Sequence, residues 1–191
     1  MQGKVICSGM LALFAFAHPL VADAHPFHWA LESVGFTSGL IHPLLSSDHI
    51  LTMLAVGMCL FRSGPRFACV MPWVFVVLML VGGGLTLIPV DIAQAENLMY
   101  LAVLMLGLML VSGFRLAAPV VAVIVAAVAV FHGYVHAYDM LLDVDAFAFT
   151  AGFSLATLVL IALGIAMAWL FKRFEPKFSL EKLDENQQRE W

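Results

Sequence analysis

Four histidines of this 191-residue chain lie in or at the edge of its most apolar segments: His42, His49, His132 and His136. Ionisable side chains are costly in such surroundings, and those that occur face a bundle interior or a wet cavity. His132 and His136 are four residues apart, so on a helix they share one face a turn apart, and Asp139 extends that face. His42 and His49 are seven apart and share a face if the helix between them is continuous. Asp48 is placed to accept the ring N–H of His49 or to bind a cation directly. Imidazole plus carboxylate is a borderline-to-hard ligand set, suited to Ni²⁺, Co²⁺, Zn²⁺, Fe²⁺ or Cu²⁺ and ill suited to Cu(I). A metal role therefore attaches to His42, Asp48, His49, His132 and His136. Hydrogen bonding between helices is the other use of such histidines. A buried aspartate beside two histidines is harder to explain by packing.

Other candidates are weaker. Glu96 opens an apolar stretch, where a carboxylate is also favoured by the helix dipole; a charge-compensating role is its functional reading, as for Asp139. His25 and His28, in the run His25-Pro26-Phe27-His28, become a chelating amine-and-imidazole terminus if the preceding segment is removed. The methionines of the apolar stretches read as flexible filler. Cys7, Cys59 and Cys69 contain no C-x-x-C pair and form no disulfide framework.

The elements that must position these residues are membrane helices. The chain is 63% hydrophobic and 12% charged with a mean hydropathy of +0.99, whereas soluble domains run at about 45–50% apolar and about 25% charged. Nine scattered basic residues make no nucleic-acid surface. Lys4, the apolar run Val5 to Ala17 and the Ala22-Asp23-Ala24 step read as a cleavable signal peptide over 1–24. Five hydrophobic stretches follow within 25–171, a transmembrane domain, and a polar tail occupies 172–191. The expected fold is an all-α polytopic bundle of five transmembrane helices. The first stretch, Trp29 to Phe61, is too long for one straight span and contains Pro43, which leaves the Gly39 carbonyl without its helical donor. A break near His42 to Ser47 is expected. Such backbone persists at membrane depth only where protein or a wet cavity covers it.

Charge orients the spans. The loop Arg62 to Arg66, Arg115, and Lys172 with Arg173 mark cytoplasmic ends, and Asp91, Glu96, Asp139, Asp143 and Asp145 mark the other side. The expected topology puts the mature N-terminus outside, the C-terminus inside, and the polar residues of all the spans in the outer half of the membrane.

The stretch His42-Pro43-Leu44-Leu45-Ser46-Ser47-Asp48-His49 resembles the HPxxGxDH motif of the HupE/UreJ family of bacterial membrane proteins. Phe131 to Asp139, reading FHGYVHAYD, is similar to that family's FHGxAHGxE. Glu96 and Gly107 keep a family spacing, and Ala151 to Thr157, AGFSLAT, matches a further segment. The departures are Ser46 for the motif glycine, Ala137 and Asp139 for the later Gly and Glu, and Ile161 where many relatives carry histidine. The resemblance covers nearly the whole mature chain. It implies a nickel permease of the inner membrane, associated with hydrogenase or urease, with the accessory proteins of such metalloenzymes as a partner class.

The expected function is import of a divalent metal, nickel first and cobalt next, with the lipid bilayer as the protein's environment and no organic cofactor. No GxxxxGK[ST] motif is present, which leaves the membrane potential as driving force. An enzyme is not expected: His132 to His136 lacks the glutamate of HExxH. A non-transporting metal-donor or assembly factor and a haem-binding redox protein are the alternatives.

Overall fold

A computed structural model describes residues 34–174 apart from 46, 89–91, 93 and 113–115. The signal peptide, His25, His28 and the tail from 175 onward lie outside the described residues. Within them the chain is all-α. The helices are α1 (Phe36–Leu45), α2 (Ser47–Ser63), α3 (Pro65–Gly84), α4 (Ala95–Val111), α5 (Ala118–Leu142) and α6 (Ala146–Phe174), with a 3₁₀ turn at Leu85–Leu87 after α3.

The residues explain the boundaries. Pro65 and Pro119 lie in the first turns of α3 and α5, where a missing N–H is no loss. Gly64, at φ 117, makes the tight link from α2 to α3. Asp145 Oδ1 accepts from the Ala148 amide at the start of α6. Arg62, at the end of α2, donates to the carbonyls of Met109 and Leu110 at 3.4 and 3.2 Å, satisfying acceptors that the end of α4 leaves over. Arg173 lies 5.5 Å above the Trp169 ring near the end of α6, an interfacial pairing of cation and aromatic.

The helices are apolar outside as well as inside. Trp73 (65% exposed), Val77, Leu101, Leu104, Val123 and Leu163 all face outward, while Met53, Val56, Phe75, Val125, Phe153 and Ile161 fill the core. A helix that is apolar all round suits hydrocarbon rather than water. Three helical segments are each long and apolar enough to cross a membrane: Pro65–Leu87, Ala118–Ala137 and Ala146–Phe174. The pair α1 and α2 makes a fourth if taken as one broken span, its halves inclined at 82°. Five spans were expected. The remaining segment, α4, has 17 residues, about 25 Å at 1.5 Å per residue, against a core of about 30 Å.

The break falls within the expected stretch His42 to Ser47, just after the proline. Helix α1 runs through Pro43 to Leu45, and α2 starts at Ser47. Proline deletes a single bond, to the Gly39 carbonyl, and the turn around it survives.

Lipid offers no hydrophobic force to hold helices together, so close backbone approach must do so. Glycines supply it in reciprocal pairs. A Cβ on Gly39 would overlap the Phe149 carbonyl and one on Gly152 the Phe36 carbonyl, joining α1 to α6. Gly57 meets the Ile161 carbonyl and Gly164 that of Leu54, joining α2 to α6. Gly82 meets the Val130 carbonyl and Gly133 that of Met79, joining α3 to α5.

Candidate metal centre

The break between α1 and α2 brings two histidines against two more. His42 lies in the last turn of α1 and His49 in the first turn of α2. His132 and His136 lie one turn apart on α5. The imidazole centroids are separated by 5.5 Å (His42–His49), 5.9 Å (His42–His136), 4.5 Å (His49–His132), 4.1 Å (His49–His136) and 4.8 Å (His132–His136). Four residues that the sequence places up to 94 positions apart thus form one cluster.

In one subset the ligand atoms converge. His42, His49 and His136 each offer a nitrogen, and these lie within 4.8 Å of one another. Two nitrogens bound to one ion at about 2.1 Å stand no more than about 4.2 Å apart. Closing the widest separation onto an ion takes only small side-chain rotations. The donors also fit a cation by what they lack. His49 and His132 are each 1% exposed, and neither ring nitrogen of either has a hydrogen-bond partner among the described residues. A buried polar group left unsatisfied costs about 1–3 kcal/mol, which coordination to a metal would recover.

Charge is arranged to match. Asp48 Oδ2 stands 3.7 Å from His49 Nδ1, and the Asp48 side chain is 41% exposed, at the edge of the cluster. The carbonyl end of α1 carries the negative pole of that helix beside His42. Asp48 also belongs to the first turn of α2, where a carboxylate offsets the positive pole. Thr52 donates to the Asp48 carbonyl at 2.6 Å.

Of the other sequence candidates, Glu96 lies in the first turn of α4 and Asp139 in the last turns of α5; their side chains are outside the described residues, as are His25 and His28. In the sequence Phe153 stands out only as part of AGFSLAT. Its ring, fully buried, lies 5.8, 5.7, 6.0 and 6.2 Å from those of His42, His49, His132 and His136. Phe149 stacks on it at 6.2 Å and touches His42 at 5.8 Å. Phe149 and Phe153 are four residues apart on a helix that also carries Gly152, the one sequence signal that this face of α6 packs tightly. In the sequence Asp143 marks only the topology. Its Oδ1 accepts from the amides of Gly35 and Asp145, both at 2.9 Å, which pins the start of α1 to the loop before α6.

Fold and cluster define a helical membrane protein with a buried group of histidines gathered at a broken helix. The chain belongs to the HupE/UreJ family: the family model described as HupE / UreJ protein matches residues 7–183. It is similar to Protein HupE of Rhizobium leguminosarum bv. viciae, 37% identical over 158 residues, which are 83% of this chain and 81% of that protein. No solved structure matches it.

Proposed function

We infer that this protein is a secondary permease for a divalent transition metal, nickel first, serving the maturation of a metalloenzyme such as hydrogenase or urease. The observation that carries this is the convergence of His42, His49 and His136 to within 4.8 Å inside an otherwise apolar bundle. A cation enters from the periplasmic side, where Asp48 attracts it and the exposed edge of the cluster takes it. Glu96 and Asp139 compensate its charge, and His25 or His28 assists capture. The protein sits in the bacterial inner membrane, with the mature N-terminus outside and the C-terminus in the cytoplasm, as the basic loops direct.

The membrane potential drives the step. It contributes about 2.3 kcal/mol per charge per 100 mV, hence about 4.6 kcal/mol for a divalent ion, or roughly three orders of magnitude in accumulation. The chain's own residues strip water from the ion, hold it and release it, and no bond of a substrate is made or broken; the protein is not an enzyme. Ring separations of 4.1 to 5.9 Å argue against haem, because a porphyrin plane does not fit between imidazoles already in contact.

The test is accumulation of radioactive nickel by cells that lack their own nickel importers and express this chain, with cobalt and zinc as competitors. Accumulation lost in Asp48→Ala at unchanged protein level supports the reading. Equal accumulation with and without the chain contradicts it.

A further inference from the structure

The four imidazoles do not form a single ring of ligands. The group whose nitrogens all converge is His42, His49 and His136, and His132 is not in it. His132 meets the cluster through His49, at 4.5 Å between centroids, and through His136, at 4.8 Å. The rings of His49 and His136, themselves 4.1 Å apart, therefore each lie beside both His42 and His132.

The two flanking imidazoles, His42 and His132, differ in depth. His42 and His136 are half-buried, whereas His132 is 1% exposed and one turn further along α5 from its Asp139 end. Phe75 at 6.5 Å and Phe153 at 6.0 Å close around the His132 ring. Neither nitrogen of His132 has a hydrogen-bond partner among the described residues. Leaving such a group unsatisfied is costly in a packed interior, and a ligand for it is the simplest compensation.

We propose that the cluster holds two overlapping stations for a divalent cation, an outer one of His42, His49 and His136 and an inner one of His49, His132 and His136. This rests on the permease reading above. The stations share two ligands, so they hold one ion at a time. The ion moves inward by exchanging His42 for His132: one nitrogen–metal bond breaks as another forms, and neither the ion's charge nor its oxidation state changes. Throughout the exchange it keeps two imidazoles, which avoids the cost of a bare ion in a low-dielectric interior.

The test is equilibrium binding of Ni²⁺ to the purified full chain in detergent, for the wild type, His42→Ala, His132→Ala and the double variant. Removing one station leaves the other. Each single variant is expected to keep one bound ion with less than about tenfold loss of affinity, and the double variant to lose more than about 100-fold, well beyond the product of the two. In liposomes, His132→Ala is expected to load Ni²⁺ that an external chelator strips, and to accumulate none. His132→Gln repeats the measurement if the alanine variant does not fold. Losses that simply multiply, as for one ion held by all four imidazoles, overturn the two-station arrangement while leaving permeation by the wild type intact. A wild type that neither binds nor moves Ni²⁺ overturns the permease reading itself, and the stations with it.

Discussion

His49 is the imidazole on which the cluster turns. It touches His42, His132, His136 and Phe153, and it is the histidine beside Asp48. On the proposed reading, replacing it removes a ligand that both stations share. His49→Ala is expected to weaken Ni²⁺ binding by about 100-fold or more, since even the hydrogen-bond partners of ligating histidines cost about 10–100-fold; equilibrium dialysis against the purified chain checks this. Phe153 acts differently. It donates no ligand atom but packs against all four rings. Phe153→Leu is expected to leave one ion bound per chain while weakening affinity and slowing uptake, because the rings lose their common wall. Binding unchanged in that variant would mean that the imidazoles hold their positions without it.

At the scale of elements, the arrangement depends on glycine contacts and one carboxylate. Gly133 stands between the two histidines of α5, and its missing side chain lets α5 rest on the Met79 carbonyl of α3. Gly133→Ala is expected to cost about 1–3 kcal/mol by overpacking, read as a lower thermal midpoint in detergent, and to reduce uptake by shifting both imidazoles. Asp143→Ala removes the acceptor that ties the start of α1 to the loop before α6. About 1 kcal/mol is expected to be lost, with a larger effect on uptake than on folding, because α1 carries His42. Much of this scale was legible in advance. The i, i+4 spacing of His132 and His136 placed them on one face, and Pro43 announced a broken span whose break falls, as expected, between His42 and Ser47. What the sequence did not disclose is which helices pair. Nearly uniform apolarity carries no facing signal, so the contacts of α6 with both α1 and α2, and with them the place of Phe153, depend on where small residues meet in space. The shortness of α4 was hidden for the same reason: beyond Glu96 and Asn97 its residues are almost all apolar, and hydropathy does not mark where a helix stops.

At the scale of the whole molecule, apolar surface outside and a histidine cluster within describe, among the described residues, a body built for lipid. The charge pattern predicts which end is which. In a background without native cysteines, Val144→Cys, at a position 90% exposed in the loop before α6, is expected to react with a membrane-impermeant maleimide added to spheroplasts. Ser63→Cys, in the last turn of α2 beside the basic link to α3, is expected to react only after permeabilisation. The reverse pattern would invert the direction of transport. The central claim is that this chain alone moves a divalent metal through its histidine cluster. The most direct measurement is entry of radioactive Ni²⁺ into liposomes containing only the purified full chain, under an inside-negative potential, beside His49→Ala. Potential-dependent entry that disappears in the variant is the predicted result. A wild type that binds Ni²⁺ at the cluster yet admits none would contradict permeation and turn the site into that of a metal donor.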